Sequence, residues 1–121
     1  MKNKKFIVIV VLCLLSLLML SACGNYTAKK LGDKLDNLER IGYKVEAFNY
    51  SDTPLSGYDL DKGEDYLRIY VMDDEHSAKV CYEFLQLIYK KNEMESLFFA
   101  RDKNLVYEAT SERVINDAKQ C

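Results

Sequence analysis

The chain has no tryptophan, one proline and one histidine in 121 residues. A lone histidine, His76, is the single candidate for a Ser-His-Asp or Cys-His arrangement, no Ser or Cys has a reason to lie beside it, and a multi-histidine metal site cannot be built. His76 falls in the first turn of an expected helix, where a solvated role is the ordinary one. The five glycines are scattered, so there is no Gly-rich phosphate loop and no Gly-x-Ser-x-Gly turn to expose a serine nucleophile. None of the four cysteines forms a Cys-x-x-Cys pair, which removes the commonest zinc spacing. With Pro54 the only proline and no Ser, Gly or Gln run, no long linker divides the chain. No catalytic residue, metal ligand or cofactor is expected.

What is present begins with an uncharged stretch, residues 6–20, preceded by Lys2, Lys4 and Lys5 and followed by Ser21, Ala22, Cys23 and Gly24. A basic start, an apolar run and small residues before a cleavage point make an export signal. Leu20 stands three residues before Cys23, with Ser21 and Ala22 between them and Gly24 after. This segment resembles the lipobox of bacterial lipoproteins, and the resemblance covers residues 1–24 only. It implies a signal peptide over 1–22, cut between Ala22 and Cys23, and a diacylglyceryl group on the Cys23 thiol. Residues 23–26 become a short lipidated tether and 27–121 a single domain. Two acyl chains, at about 0.8 kcal/mol per buried methylene, hold a protein stably where one holds it marginally. Cys13 lies mid-run without a small residue before it and leaves with the leader. The competing reading is an uncleaved spanning helix, since Phe6 to Cys23 is 18 residues and a span needs about 17 to 25. Either way the basic residues stay on the cytoplasmic side, so the rest faces the extracytoplasmic side of the cell membrane.

Removing residues 1–22 takes three lysines and no acid, leaving 14 basic against 19 acidic residues and a formal charge of −5. A domain of that sign does not attract nucleic acid or an anionic membrane surface. The partners expected are the membrane, through the lipid, and an envelope protein.

Helical periodicity places a first helix over Thr27–Ile41, stopped at Gly42, a second over Glu75–Lys91 capped by Asp73 or Asp74, and a third after Thr110 or Ser111. Strands are read at 42–50, 66–71, 97–100 and 105–108, with 51–65 as the longest loop. The order α-β-β-α-β-β-α predicts an α+β fold, a two-layer sandwich with an antiparallel four-stranded sheet and helices on one face. Ala78, Cys81, Tyr82, Leu85, Ile88 and Tyr89 form an apolar stripe on the second helix that Val80, Phe84 and Leu87 widen, as expected of a helix packed against a sheet.

Three features attract functional readings. Cys81 and Cys121 remain as an even pair in an oxidising space and both point to the core side of their helices, making them a candidate disulfide if those helices are neighbours. The other outcome is two unbonded thiols. The segment from Asp59 to Asp65 is acidic, but counted from Asp59 as a calcium loop it puts Gly63 at position 5 and Tyr70 at position 12, where such a loop needs Gly at 6 and Glu at 12. A solvated acidic turn is the plainer reading. Tyr66, Arg68 and Tyr70 share the strand face opposite Leu67, Ile69 and Val71, a composition favoured at interfaces, though also that of cross-strand packing. The function expected is a membrane-anchored, non-catalytic binding or accessory domain at the cell envelope. The alternative is an envelope enzyme or a cell-wall or calcium ligand binder using the acidic loop 52–65.

Overall fold

Thr27 opens the first helix because its hydroxyl accepts the Lys30 N–H at 3.1 Å, replacing a partner the first turn lacks. In the computed structural model, which describes residues 25–49, 56–91 and 97–121, this helix, α1, covers Ala28–Arg40. Gly42 follows at φ 111°, a conformation that only glycine adopts without strain, and its N–H closes the end on Glu39. The leader, with Ala22 and Cys23, lies outside the described residues.

Five strands follow, interrupted by one helix: β1 Lys44–Asn49, β2 Ser56–Lys62, β3 Asp65–Val71, α2 Glu75–Lys91, β4 Phe98–Asp102 and β5 Leu105–Ala109. The last helix, α3, spans Glu112–Gln120. Asp74 and Ser111 provide the two further caps, accepting the Ser77 N–H at 2.7 Å and the Val114 N–H at 3.3 Å. The sheet order is β1-β2-β3-β5-β4, antiparallel throughout. The fold is therefore α+β with an open antiparallel sheet, but the sheet has five strands where the sequence predicts four.

The extra strand is β2, inside the stretch expected to be loop. Its sequence Ser-Gly-Tyr-Asp-Leu-Asp-Lys buries only Gly57 and Leu60, so neither apolar alternation nor an apolar run announces it. Two-sided pairing makes it a strand: it lies between β1 and β3, and Gly63–Glu64 alone connect it to β3. Gly57 is required there, since a Cβ would stand 1.8 Å from the Ile69 carbonyl oxygen.

Alternation along the strands separates two cores. Leu67, Ile69, Leu105 and Tyr107 face one way and pack with Leu38 of α1 and Val114 and Ala118 of α3. Tyr70 and Val106 face the other way and pack with Ala78 of α2. Helices therefore cover both faces, giving three layers where the sequence predicts two with helices on one face. On the second face α2 packs on β4 and β5, where Tyr89 meets Phe99 at a ring separation of 5.0 Å. No described helix lies over β1, β2 and most of β3 on that side.

Candidate functional site

The Tyr66, Arg68, Tyr70 face exists as expected, but its polar groups are turned inward on one another. Asp59, directly opposite Arg68 in the β2–β3 ladder, accepts from Arg68 Nε at 2.7 Å, from Nη2 at 3.3 Å and from the Tyr66 hydroxyl at 2.8 Å. The guanidinium also lies 4.8 Å from the Phe48 ring centre and 5.9 Å from that of Tyr70. Burial opposes the Arg68 charge, but hydrogen bonds to Asp59 and Tyr70 outweigh it and hold the proton more tightly than usual. Tyr70 is only 5% exposed. This cluster has the character of cross-strand packing, with its polar atoms paired within the fold.

The acidic segment is dispersed in the same way. Asp59 serves Arg68, and Asp65 pairs with Arg113 of α3; Asp52 lies outside the described residues. Among the described residues no group of three or more Asp, Glu, His or Cys side chains could hold a metal ion, and no helix is long and apolar enough to cross a membrane.

Cys81 and Cys121 are both unbonded. The bridge considered from the sequence is absent because α2 and α3 cover opposite faces: Cys81 packs against the Tyr70–Ala78–Val106 core and Cys121 against the other. Helical phase told which side of each helix is buried, but not which sheet face it meets. Burial first, and then the Glu108 carboxylate, pushes the Cys81 thiol up, the reverse of what a nucleophilic thiolate needs. Burial pushes Cys121 up as well, with Lys34 opposing.

The surface that sequence reasoning missed is the outer side of α2. Val80 is 54% exposed, Phe84 61% and Leu87 67%, with Ile88 beside them at 36%. These residues do not widen the sheet-facing stripe but form a second apolar arc on the solvent side. Between this arc and the sheet runs a groove of about 470 Å³, walled by Val80, Phe84 and Leu85 and floored by Tyr70 and Met72, with His76 at its rim. A helix apolar over two arcs is one that expects burial on both. The spacing 80, 84, 87 is the signal that could have found it, being a seam of its own beside the 78, 81, 85 seam. On the same sheet face Glu108 is 3% exposed, and its Oε1 lacks a hydrogen-bond partner among the described residues.

A second unforeseen cluster fixes the segment just ahead of α1. The Tyr26 N–H donates to Asn104 Oδ1 at 2.7 Å, and its hydroxyl donates to Asp102 Oδ2 at 2.6 Å. Tyr107 donates to the same oxygen at 2.7 Å. Lys34, 2% exposed, lies 4.0 Å from Asp102 and donates to the Ala118 carbonyl near the end of α3, where a cation suits the helix dipole. Burial pulls the Lys34 ammonium below its usual range, and Asp102 opposes that pull.

Tyrosine chemistry is expected to make the fold alkali-sensitive. Burial first, and then a carboxylate partner, raises Tyr26 and Tyr89 to about 12, and the same two causes raise Tyr43, Tyr66 and Tyr107 further. Burial also raises Tyr70. Each raised phenol stays neutral in the fold while the unfolded chain ionises near pH 10, so its contribution is intact below about pH 10 and lost as pH climbs through the folded values. Lys34, with its lowered value, works in the opposite sense, but alone against six. Thermal melts of the full chain in detergent are expected to show Tm falling steeply above pH 10, with late phenolate absorbance at 295 nm appearing with unfolding. A Tm unchanged to pH 11.5 would contradict this.

No family model, curated protein or solved structure matches this chain.

Proposed function

We propose that the chain is an extracytoplasmic lipoprotein, anchored to the cell membrane by a diacylglyceryl group on Cys23, whose domain binds a protein at the cell envelope without catalysing a reaction. The lipobox segment Leu20–Gly24 supports the anchor. The observation that carries the binding role is the exposed apolar arc of α2, Val80, Phe84 and Leu87, beside its groove. An apolar surface of this kind, rimmed by Lys79, Glu83 and Lys90, has the anatomy of a docking site. The direction of the Cys81 shift argues against a thiol nucleophile in the groove. The acidic segment does not favour the ligand-binding alternative, since Asp59 and Asp65 are already held by arginines.

A photo-cross-linking residue placed at position 84 of the full chain, in its native membrane, tests the reading. A discrete protein adduct is expected from position 84 and none from exposed Lys29 on α1. Adducts to phospholipid alone, or none at all, would overturn it.

A further inference from the structure

We infer that the outer arc of α2 binds a second copy of this chain, α2 packing antiparallel on α2 with Phe84 of one copy against Leu87 of the other. The inference rests on the anchored binding reading for one point only, the concentrating effect of a shared membrane.

Val80, Phe84 and Leu87 follow the four-then-three spacing of a coiled-coil seam, and all three are more than half exposed. The charges beside that seam select the occupant. Glu83 and Lys90 border Leu87 on one flank, where with Gln86 they line a shallow depression. Both are exposed, and neither forms an ion pair with another described residue.

A twofold axis across two antiparallel helices brings each flank against the same flank of the other copy. Setting Phe84 opposite Leu87 of the second copy, in both directions, then puts position 83 of each chain beside position 90 of the other. Glu83 meets Lys90 of the second copy, and symmetry makes the pair twice. A parallel pairing sets position 83 near position 88, which is Ile88, and leaves both charges without a match. A lipid surface offers Glu83 nothing. Self-complementarity in this single register is what points to another copy.

The exposed surface of the four apolar side chains is on the order of 400 Å² per chain, the size of a functional patch. Doubled, with the flanking side chains included, it reaches about 1,000 Å², the low end for specific interfaces. A dimer of that size is weak in free solution, and holding both copies on one membrane raises their effective concentration.

The test is a charge swap in the full chain, read by sedimentation equilibrium in detergent micelles and by carbodiimide cross-linking in proteoliposomes. Glu83→Lys and Lys90→Glu each create two like-charge contacts, so each is expected to weaken the dimer about tenfold or more. The double variant restores opposite charges in the reversed sense and is expected to return to within about threefold of the native chain. Thermal melts establish that all four proteins are folded. A native chain that stays monomeric in both settings overturns the inference, as does a double variant no better than either single one. So does a pattern in which Glu83→Lys raises and Lys90→Glu lowers binding to anionic vesicles without any dimer, which would assign the arc to lipid. Fatty-acid labelling of the same samples separates the two readings. A labelled monomer defeats the dimer alone, and an unlabelled chain that still dimerises with the swap pattern defeats the anchor alone.

Discussion

Asp102→Ala is expected to cost about 2 kcal/mol or more of folding stability, at about 1 to 3 kcal/mol for each of the two hydroxyls that lose their acceptor. Small domains have about 5 to 15 kcal/mol in all, so the variant should unfold at a clearly lower denaturant concentration than the native chain. The carboxylate is paired with Lys34, whose side chain is 2% exposed, and accepts both the Tyr26 and Tyr107 hydroxyls through Oδ2. Removing it leaves two hydroxyls without their acceptor and takes the nearest carboxylate from the Lys34 ammonium, which keeps the Ala118 carbonyl. Asp102→Asn keeps an acceptor for the hydroxyls and should fall between the native chain and the alanine variant. Lys34→Met should rescue part of the Asp102→Ala loss, because it removes a buried ammonium that no longer has a carboxylate beside it. Denaturant titrations of the four proteins measure this as a double-mutant cycle. A loss within about 1 kcal/mol for Asp102→Ala would mean that the cluster carries little of the fold.

Cys23→Ala is expected to abolish lipid attachment and leave an uncleaved precursor that retains residues 1–22. The proposed linkage is a thioether, which alanine cannot form, and the signal is cut ahead of the modified cysteine in the family that this segment resembles. Labelling with radioactive fatty acid and gel mobility measure it: the native chain should carry label at the mature size, the variant none at the precursor size. Label persisting on the variant would remove the basis for the anchor.

Local order was legible where one helix face or one strand face decides burial. Glu75–Lys91 is the α2 span in both readings, because the Asp74 cap and the 78, 81, 85 stripe are local signals. Leu67 and Ile69 were recognisable as core for the same reason, and both are fully buried. The strand β2 was not legible, since Asp59 and Asp61 occupy its open face and Asp59 finds its partners, Tyr66 and Arg68, only across the β2–β3 hairpin. Lys34 reads as an ordinary exposed lysine between Leu31 and Leu35; only the arrival of α3, with the Ala118 carbonyl, buries it. All of Leu105–Ala109 is buried, Glu108 included, because helices cover β5 on both sides, and a strand enclosed in this way loses its alternation. The number of layers could not be read from helical phase, which is also why the Cys81–Cys121 bridge looked feasible. Val80, Phe84 and Leu87 were visible as apolar but were assigned to the wrong side of their helix.

The bonds at Tyr26 make the tether a ruler. Only Gly24 and Asn25 separate the proposed lipid on Cys23 from a residue locked by two hydrogen bonds to the β4–β5 hairpin. Three residue steps reach at most about 11 Å, and Asn25 is itself held to the Asp73 carbonyl at 3.3 Å, just ahead of α2. If Cys23 carries the lipid, so short a connection would restrict how far the domain can turn away from the bilayer. The standoff of the domain from the bilayer would then be bounded by that length, and the start of α2, joined to Asn25, would lie close to the same surface. Two copies that pair as proposed would then meet on a surface with the same side up, and rotation in the plane would be the main motion needed to bring their α2 helices into line.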